Sequence, residues 1–199
     1  NKPSKILGVN IGPNRDTRNK IDDFIICLSE LHSQADYITI NISSPNTEGL
    51  RDFHEKKSLS KLLEKLNSLK LKKKINKPLF IKISPDIDDE DISQINEIIL
   101  RHNINGIIIS NSTDRNRAGL YDNNKNEEGG LSGLPLKDLS TKLIKRFYRE
   151  TKGKIQIIGV GGVDSGQSTF EKIISGANAV QLYTGMIYKG PGIVKEIKK

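Results

Sequence analysis

Residues 155–164 read Ile155-Gln156-Ile157-Ile158-Gly159-Val160-Gly161-Gly162-Val163-Asp164. An apolar run of strand length passes into glycines and then, from Ser165, into a segment of helical period. A dinucleotide-binding fingerprint has a similar beginning, but the spacing fails, because the third glycine of G-x-G-x-x-G falls at Asp164. A glycine turn whose amides face a phosphate still fits, and in eight-stranded barrels that site is commonly built after the last two strands. The last two strand-like runs here carry Gly161-Gly162 and Tyr183-Thr184-Gly185. That order favours a barrel over a doubly wound sheet.

Outward from this stretch, apolar runs alternate with longer helical segments along the whole chain, the pattern of parallel strands joined by helices. The strands read as Ile6 to Asn10, Tyr37 to Ser43, Pro78 to Ser84, Gly106 to Asn111, Ile155 to Gly162 and Ala179 to Gly185. Helices are expected at about Asp16 to Ser33, Ser58 to Leu71, Asp89 to His102, Leu136 to Thr151 and Ser165 to Ile174, with a last one opening near Pro191. Asp86, Asp88 and Asp89 crowd one helix start, where backbone N–H groups and the dipole favour negative charge. Gly176 suits a helix C-terminus and Pro191 a first turn. No repeat or low-complexity linker divides residues 1–199, so one domain is expected. The polar segment Ser112 to Gly130 reads as a long surface loop and Thr47 to Lys57 as a second candidate cover.

The net charge of +8 invites a nucleic-acid reading around Lys70, Lys72, Lys73, Lys74 and Lys77. Those lysines fall at a helix C-terminus, where the dipole favours cations, and with no Trp and 5% aromatics nothing interleaves as a stacking platform. Nucleic acid is therefore not an expected partner. The one cysteine, Cys27, excludes a disulfide framework and a cysteine zinc site, and it is expected on a buried helix face. No metal site is expected. No apolar run approaches the roughly 18 residues of a membrane span, and Asn1-Lys2-Pro3 shows no signal pattern.

Every strand ends in small or amide residues: Asn10-Ile11-Gly12, Asn41-Ile42-Ser43-Ser44, Lys82-Ile83-Ser84, Ser110-Asn111-Ser112, Gly159 to Gly162 and Tyr183-Thr184-Gly185. One such ending is turn chemistry. Repetition at the same relative position suggests a polar site at one end of the sheet, with amides able to offer donor and acceptor to a planar heterocycle. Lys82 is an ammonium inside the apolar run Leu79-Phe80-Ile81-Lys82-Ile83. Two readings stay open for it, a guard on an edge strand and a site-facing cation meeting an anion. Phe80 and Ser84 would share its face.

Taken together, Asn10-Ile11-Gly12, Asn41 through Thr47, Lys82, Ser110-Asn111-Ser112-Thr113, Gly129-Gly130-Leu131-Ser132-Gly133, Gly159 to Gly162 and Tyr183-Thr184-Gly185 occur in the order and spacing of dihydroorotate dehydrogenases. The resemblance covers essentially the whole chain, and it is to the class 2, quinone-using form, since Ser44 stands where class 1 enzymes carry Cys. It implies an α/β (β/α)8 TIM barrel, of which this chain supplies about strands three to eight, binding FMN. By that resemblance Asn10, Asn41, Lys82 and Ser110 lie around the flavin ring and ribityl chain, and Gly133, Gly162, Tyr183 and Thr184 hold its phosphate end. Asn41, Asn46, Asn111 and Ser112 bind the pyrimidine, and Ser44 removes the C5 proton of dihydroorotate as hydride leaves C6, giving orotate. Peripheral contact with the bacterial cytoplasmic membrane, or the mitochondrial inner membrane in a eukaryote, is implied through an N-terminal region outside this sequence. Departures are few: Glu48 stands where the family usually has Pro, Ser110 and Ser112 where it has Thr, and Thr184 where Ser is common.

A class 1-like or other FMN-dependent pyrimidine oxidoreductase with a soluble acceptor is the rival reading, and a basic phosphate- or nucleic-acid-binding domain is the non-enzymatic one. Six strands of an eight-stranded barrel would present two unpaired edges. Residues 1–199 expressed alone are accordingly expected to be poorly soluble and to lose flavin. A soluble product with one flavin absorbance equivalent per chain would contradict this.

Overall fold

The computed structural model describes residues 5–115, 117 and 119–198. Asn1-Lys2-Pro3, read above for a signal pattern, lies outside them. Six strands alternate with helices: β1 Gly8–Ile11, α1 Lys20–Leu31, β2 Tyr37–Asn41, α2 Lys56–Lys73, β3 Leu79–Ile83, α3 Asp89–Arg101, β4 Gly106–Ile109, α4 Lys137–Thr151, β5 Gln156–Val160, α5 Gly166–Ile174, β6 Ala179–Gln181, α6 Thr184–Lys189 and α7 Ile193–Ile197. Strand order follows chain order, as in successive βα units. The chain forms two compact units, Asn1–Ile83 with Asp88–Ile107 and Ser84–Ile87 with Ile108–Lys199.

In the first unit the parallel register sets Gly8 beside Tyr37, Asn10 beside Thr39 and Asn41 beside Lys82. Alternation then sorts side chains onto two faces. Ile38 and Ile40 of β2 and Leu79, Ile81 and Ile83 of β3 are completely buried, as are Leu59, Leu62, Leu63 and Leu66 of α2. Each such Leu or Ile contributes roughly 2 kcal/mol by leaving water. The other face carries Tyr37, Thr39 and Asn41 with Phe80 and Lys82, and the edge-to-face Tyr37–Phe80 pair at 5.5 Å fixes its lower part. Gly8 is required there, because a Cβ would lie 2.1 Å from the Tyr37 ring.

Register is pinned by a recurrent device. The residue just before β2, β4 and β6 is Asp or Asn, and it clamps the neighbouring chain segment twice, once with its backbone N–H and once with its side chain. Asp36 N–H donates to Leu7 O at 2.7 Å while Leu7 N–H donates to Asp36 Oδ2 at 2.9 Å. Asn105 does the same to Leu79 (3.1 and 2.9 Å), and in the second unit Asn178 to Ile157 (2.8 and 2.8 Å). Since a one-residue slip would turn every side chain to the wrong face, each clamp protects the sorting described above.

Helix ends follow the local chemistry. Asp88 caps α3 by accepting from Glu90 and Asp91 N–H, and Asp91 returns the bond to Asp88 N–H. Asp86, expected with them, instead accepts from Thr113 Oγ1 and Asp114 N–H. The lysine cluster sits at the end of α2, where Lys74 adopts the left-handed conformation, Lys70 Nζ donates to Lys77 O at 3.1 Å and Lys73 Nζ to Ser29 Oγ. Gly176, at φ +116°, closes α5 as expected.

Three expectations need correction. The last strand stops at Gln181, and Thr184 opens the short helix α6, so Tyr183-Thr184-Gly185 lies on a strand-to-helix turn. Pro191 precedes α7 by two residues, with Gly192 in the cap position. Cys27 is half-buried rather than within the core. Within the expected cover at 47–57, Leu50 and Phe53 are buried and Phe53 packs edge-on against Phe24 at 6.0 Å, so this segment is tied to α1.

Removing the side-chain half of one clamp tests its weight. Asn105→Ala, which strips the acceptor from the Leu79 N–H, should lower stability by about 1–2 kcal/mol in urea unfolding, whereas Asn105→Asp should retain most of it.

Candidate active site

In the first unit, Asn41 ends β2 with its carboxamide oxygen accepting from Ser43 N–H (3.3 Å) and Ser43 Oγ–H (2.9 Å). Both bonds fix the Asn41 carboxamide against the turn that follows β2. Lys82, its register partner on β3, is half-buried and has no hydrogen bond or ion pair among the described residues. Burial alone holds its pKa below the usual lysine range. The edge-guard reading of Lys82 does not survive, because β3 has β2 on one side and receives Asn105 N–H on the other. Asn10 lies on the same face of β1, beside Thr39 and two residues short of the Asn41 level.

After β2 the chain turns through Ser44, whose Oγ accepts from Asn46 N–H at 3.3 Å. This is a serine-initiated turn, as the sequence chemistry suggests. The hydroxyl hydrogen of Ser44 has no acceptor among the described residues. Asn46 is exposed and Ser44 half-buried. His54, ten residues on, is buried with Nδ1 2.8 Å from Arg51 O, and burial lowers its pKa, keeping the ring neutral.

In the second unit, Ser110 follows a cis peptide, is buried, and donates its backbone N–H to Val160 O at 3.2 Å. Asn111 repeats the Asn41 device, its Oδ1 accepting from Ser112 N–H at 2.8 Å. Thr113 then pairs with Leu131 in an antiparallel bridge (3.0 and 2.7 Å), which draws the two ends of the long polar loop together. Sequence reading missed that bridge; nothing in a single Thr and a single Leu 18 positions apart announces it. Gly119, Leu120, Leu131, Leu134 and Pro135 line a cleft of about 350 Å³ in this loop.

Three glycine segments converge in the same unit. A Cβ on Gly133 would strike Thr184 Cγ2 at 2.8 Å, and Ser132 Oγ hydrogen-bonds Thr184 Oγ1 at 2.9 Å. A Cβ on Gly185 would lie 2.5 Å from Val163 O, and one on Gly162 2.8 Å from Lys137 N. Gly161 and Gly162 have φ of +105° and +70°, and their N–H groups donate to no other described residue. Two adjacent amide donors on glycines that cannot carry side chains make an anion cradle. Gly133 is thus set against Thr184 and Gly162 against Lys137, while Tyr183 is 74% exposed.

The dihydroorotate dehydrogenase family model matches residues 1–199. The chain belongs to the dihydroorotate dehydrogenase family. A dihydroorotate dehydrogenase (quinone) from Haemophilus ducreyi is 48% identical over 98% of this chain, and one from Idiomarina loihiensis 43% identical over 96%. The chain spans about 60% of the length of these relatives. A DHODH from Eimeria tenella in complex with ferulenol is similar in structure, with a TM-score of 0.94 and 37% identity over 97% of this chain and 56% of its own. The ligand-free type from the same organism gives 0.91 and 36% identity over 97% of this chain and 58% of its own. The six parallel strands and their helices are therefore part of a dihydroorotate dehydrogenase (β/α)8 barrel.

A part-buried ammonium with no partner among the described residues lowers stability. Since the folded pKa of Lys82 lies below its unfolded value, the unfolded chain binds more protons in the window between them, and stability rises there with pH. Lys82→Met in the flavin-free protein should therefore raise the melting temperature at neutral pH, with the advantage over the parent shrinking as pH climbs toward 10.5.

Proposed function

We propose that the protein carrying this chain is an FMN-dependent dihydroorotate dehydrogenase of pyrimidine biosynthesis, oxidising dihydroorotate to orotate with a quinone as acceptor. The observation that carries this reading is the Asn41–Lys82 pair, an amide beside a cation without a counter-ion. Such a pair suits an electron-rich heterocycle that gains negative charge. The glycine cradle of the second unit suits the ribityl phosphate. Bound FMN supplies the acceptor for hydride leaving C6 of dihydroorotate, and a quinone takes the electrons onward.

The roles then fall as follows. Asn10, Asn41, Lys82 and Ser110 hold the flavin ring and ribityl chain, with Lys82 balancing negative charge. Gly133, Gly162, Tyr183 and Thr184 hold the phosphate end, Tyr183 through its backbone. Asn41, Asn46, Asn111 and Ser112 orient the pyrimidine. Ser44 takes the C5 proton as its own hydroxyl hydrogen passes to a water molecule: a hydroxyl is a weak base, but the Asn46 N–H pointed at Oγ stabilises the negative charge that develops as that hydrogen leaves. The quinone-type relatives support this acceptor, and a quinone held in a membrane supports peripheral association of the protein with it. No helix among the described residues is long and apolar enough to cross a membrane.

In the full-length protein, Ser44→Ala should lower the rate of dihydroorotate oxidation by at least about 100-fold, the scale of a lost general base, while the flavin absorbance per protein stays unchanged. Turnover near the parent level would remove Ser44 from the role of base. A parent protein that reduces ubiquinone no faster than fumarate or NAD would overturn the acceptor assignment.

A further inference from the structure

Lys172 lies on α5 and is completely buried, an unusual position for an ammonium. Its Nζ donates to Ser140 Oγ at 2.5 Å, to Thr141 Oγ1 at 3.1 Å and to Lys137 O at 3.5 Å. All three acceptors are neutral oxygens of α4. The neighbouring carboxylate, Glu171, is instead paired with Lys137 Nζ at 2.8 Å. Burial lowers the Lys172 pKa to about 8, so the charge is kept there against a desolvation cost.

What the lysine does is visible one bond further on. Ser140 Oγ lies 3.2 Å from Gly161 O and 3.3 Å from Lys137 O. A hydroxyl has a single hydrogen, and with Nζ–H donating into its lone pairs, Ser140 can act toward these carbonyls only as a donor. The relay therefore runs from Lys172 Nζ through Ser140 to the Gly161 carbonyl. In a trans peptide C=O and N–H point in opposite directions. Holding the Gly161 carbonyl toward α4 turns the Gly162 N–H away from α4, as one of the two unpartnered donors of the cradle. Gly162 has no freedom to answer otherwise, since a Cβ there would lie 2.6 Å from Lys137 Cα.

We infer that Lys172, acting through Ser140, is a positioning residue for the phosphate end of the flavin, fixing the peptide that presents the Gly162 N–H to a phosphomonoester. This inference rests on the flavin reading above. It predicts an effect on the phosphate and none on the ring, a distinction that a core-filling lysine would not make.

The test uses the full-length protein stripped of flavin, titrated with FMN and with riboflavin, which lacks the phosphate, and followed by quenching of flavin fluorescence. Lys172→Met should weaken FMN binding by about tenfold, the scale of one well-placed hydrogen bond to a charged group, and leave riboflavin binding within about twofold of the parent. Ser140→Ala leaves the lysine in place and carries the same expectation, so it decides the matter if Lys172→Met does not fold. The double variant should be no weaker than either single one, because both act on one relay. Equal losses for FMN and riboflavin, or no loss for either, would overturn the positioning role and leave the flavin reading intact. A parent protein that binds neither flavin would overturn both.

Discussion

The arrangement depends on parallel register. Asp36, Asn105 and Asn178 each stand one residue before a strand and clamp the neighbour with both backbone and side chain. In a parallel ladder nothing like a two-residue hairpin fixes alignment, so the register of each pair has to be specified locally. A side-chain carboxylate or amide at the entry to the ladder does this at the point where slippage would begin. Between β2 and β3, which carry no such clamp, the register that brings Asn41 level with Lys82 is closed at its two ends by Ile38 N–H to Pro78 O at 2.9 Å and Ile42 N–H to Lys82 O at 3.3 Å. A slip of one residue in β3 would turn Lys82 toward the leucines of α2 and bring Ile81 and Ile83 to the face that Lys82 now occupies.

The two lysines outside ordinary surface positions solve the same electrostatic problem differently. Lys82 is half-buried with no hydrogen bond or ion pair among the described residues, so nothing there offsets its burial cost. Lys172 is wholly buried and bonded to three neutral oxygens, so its cost is met within the fold. The first is suited to respond to a ligand. The second is suited to hold a backbone still. Stability would rise on neutralising the first, whereas removing the second would leave the oxygens of Ser140 and Thr141 without their donor.

Much of this was legible in the sequence, for physical reasons. Strand and helix existence followed from period, and the polar strand ends gave the candidate site residues. Strand limits were read too long at Asn111, Gly162 and Gly185 because small polar residues are equally at home in the last strand position and in the turn beyond it. The helix from Thr184 to Lys189 was missed because six residues are too short for a period to show. The clamps were missed because Asn before a strand also reads as a turn residue. Lys172 was missed for a better reason: in Glu171-Lys172-Ile173-Ile174 it looks like one more charged residue on an amphipathic helix. Here Phe170 and Ile174 are the exposed ones, at 57% and 66%, and the lysine is inside.

That inversion on α5 explains the glycines beside it. Gly159 lies against the lysine stem, where a Cβ would be 3.1 Å from Lys172 Cδ and 2.9 Å from Ile144 Cδ1. Gly161 and Gly162 then carry the positive φ angles that let the chain turn over α4. Three glycines in four residues, which fail as a dinucleotide fingerprint, thus do separate work: the first admits the lysine, the second accepts the end of its relay, and the third presents the outward N–H. The spacing differs from G-x-G-x-x-G because the close approach is made to a helix that lies earlier in the chain, α4, rather than to the helix that follows.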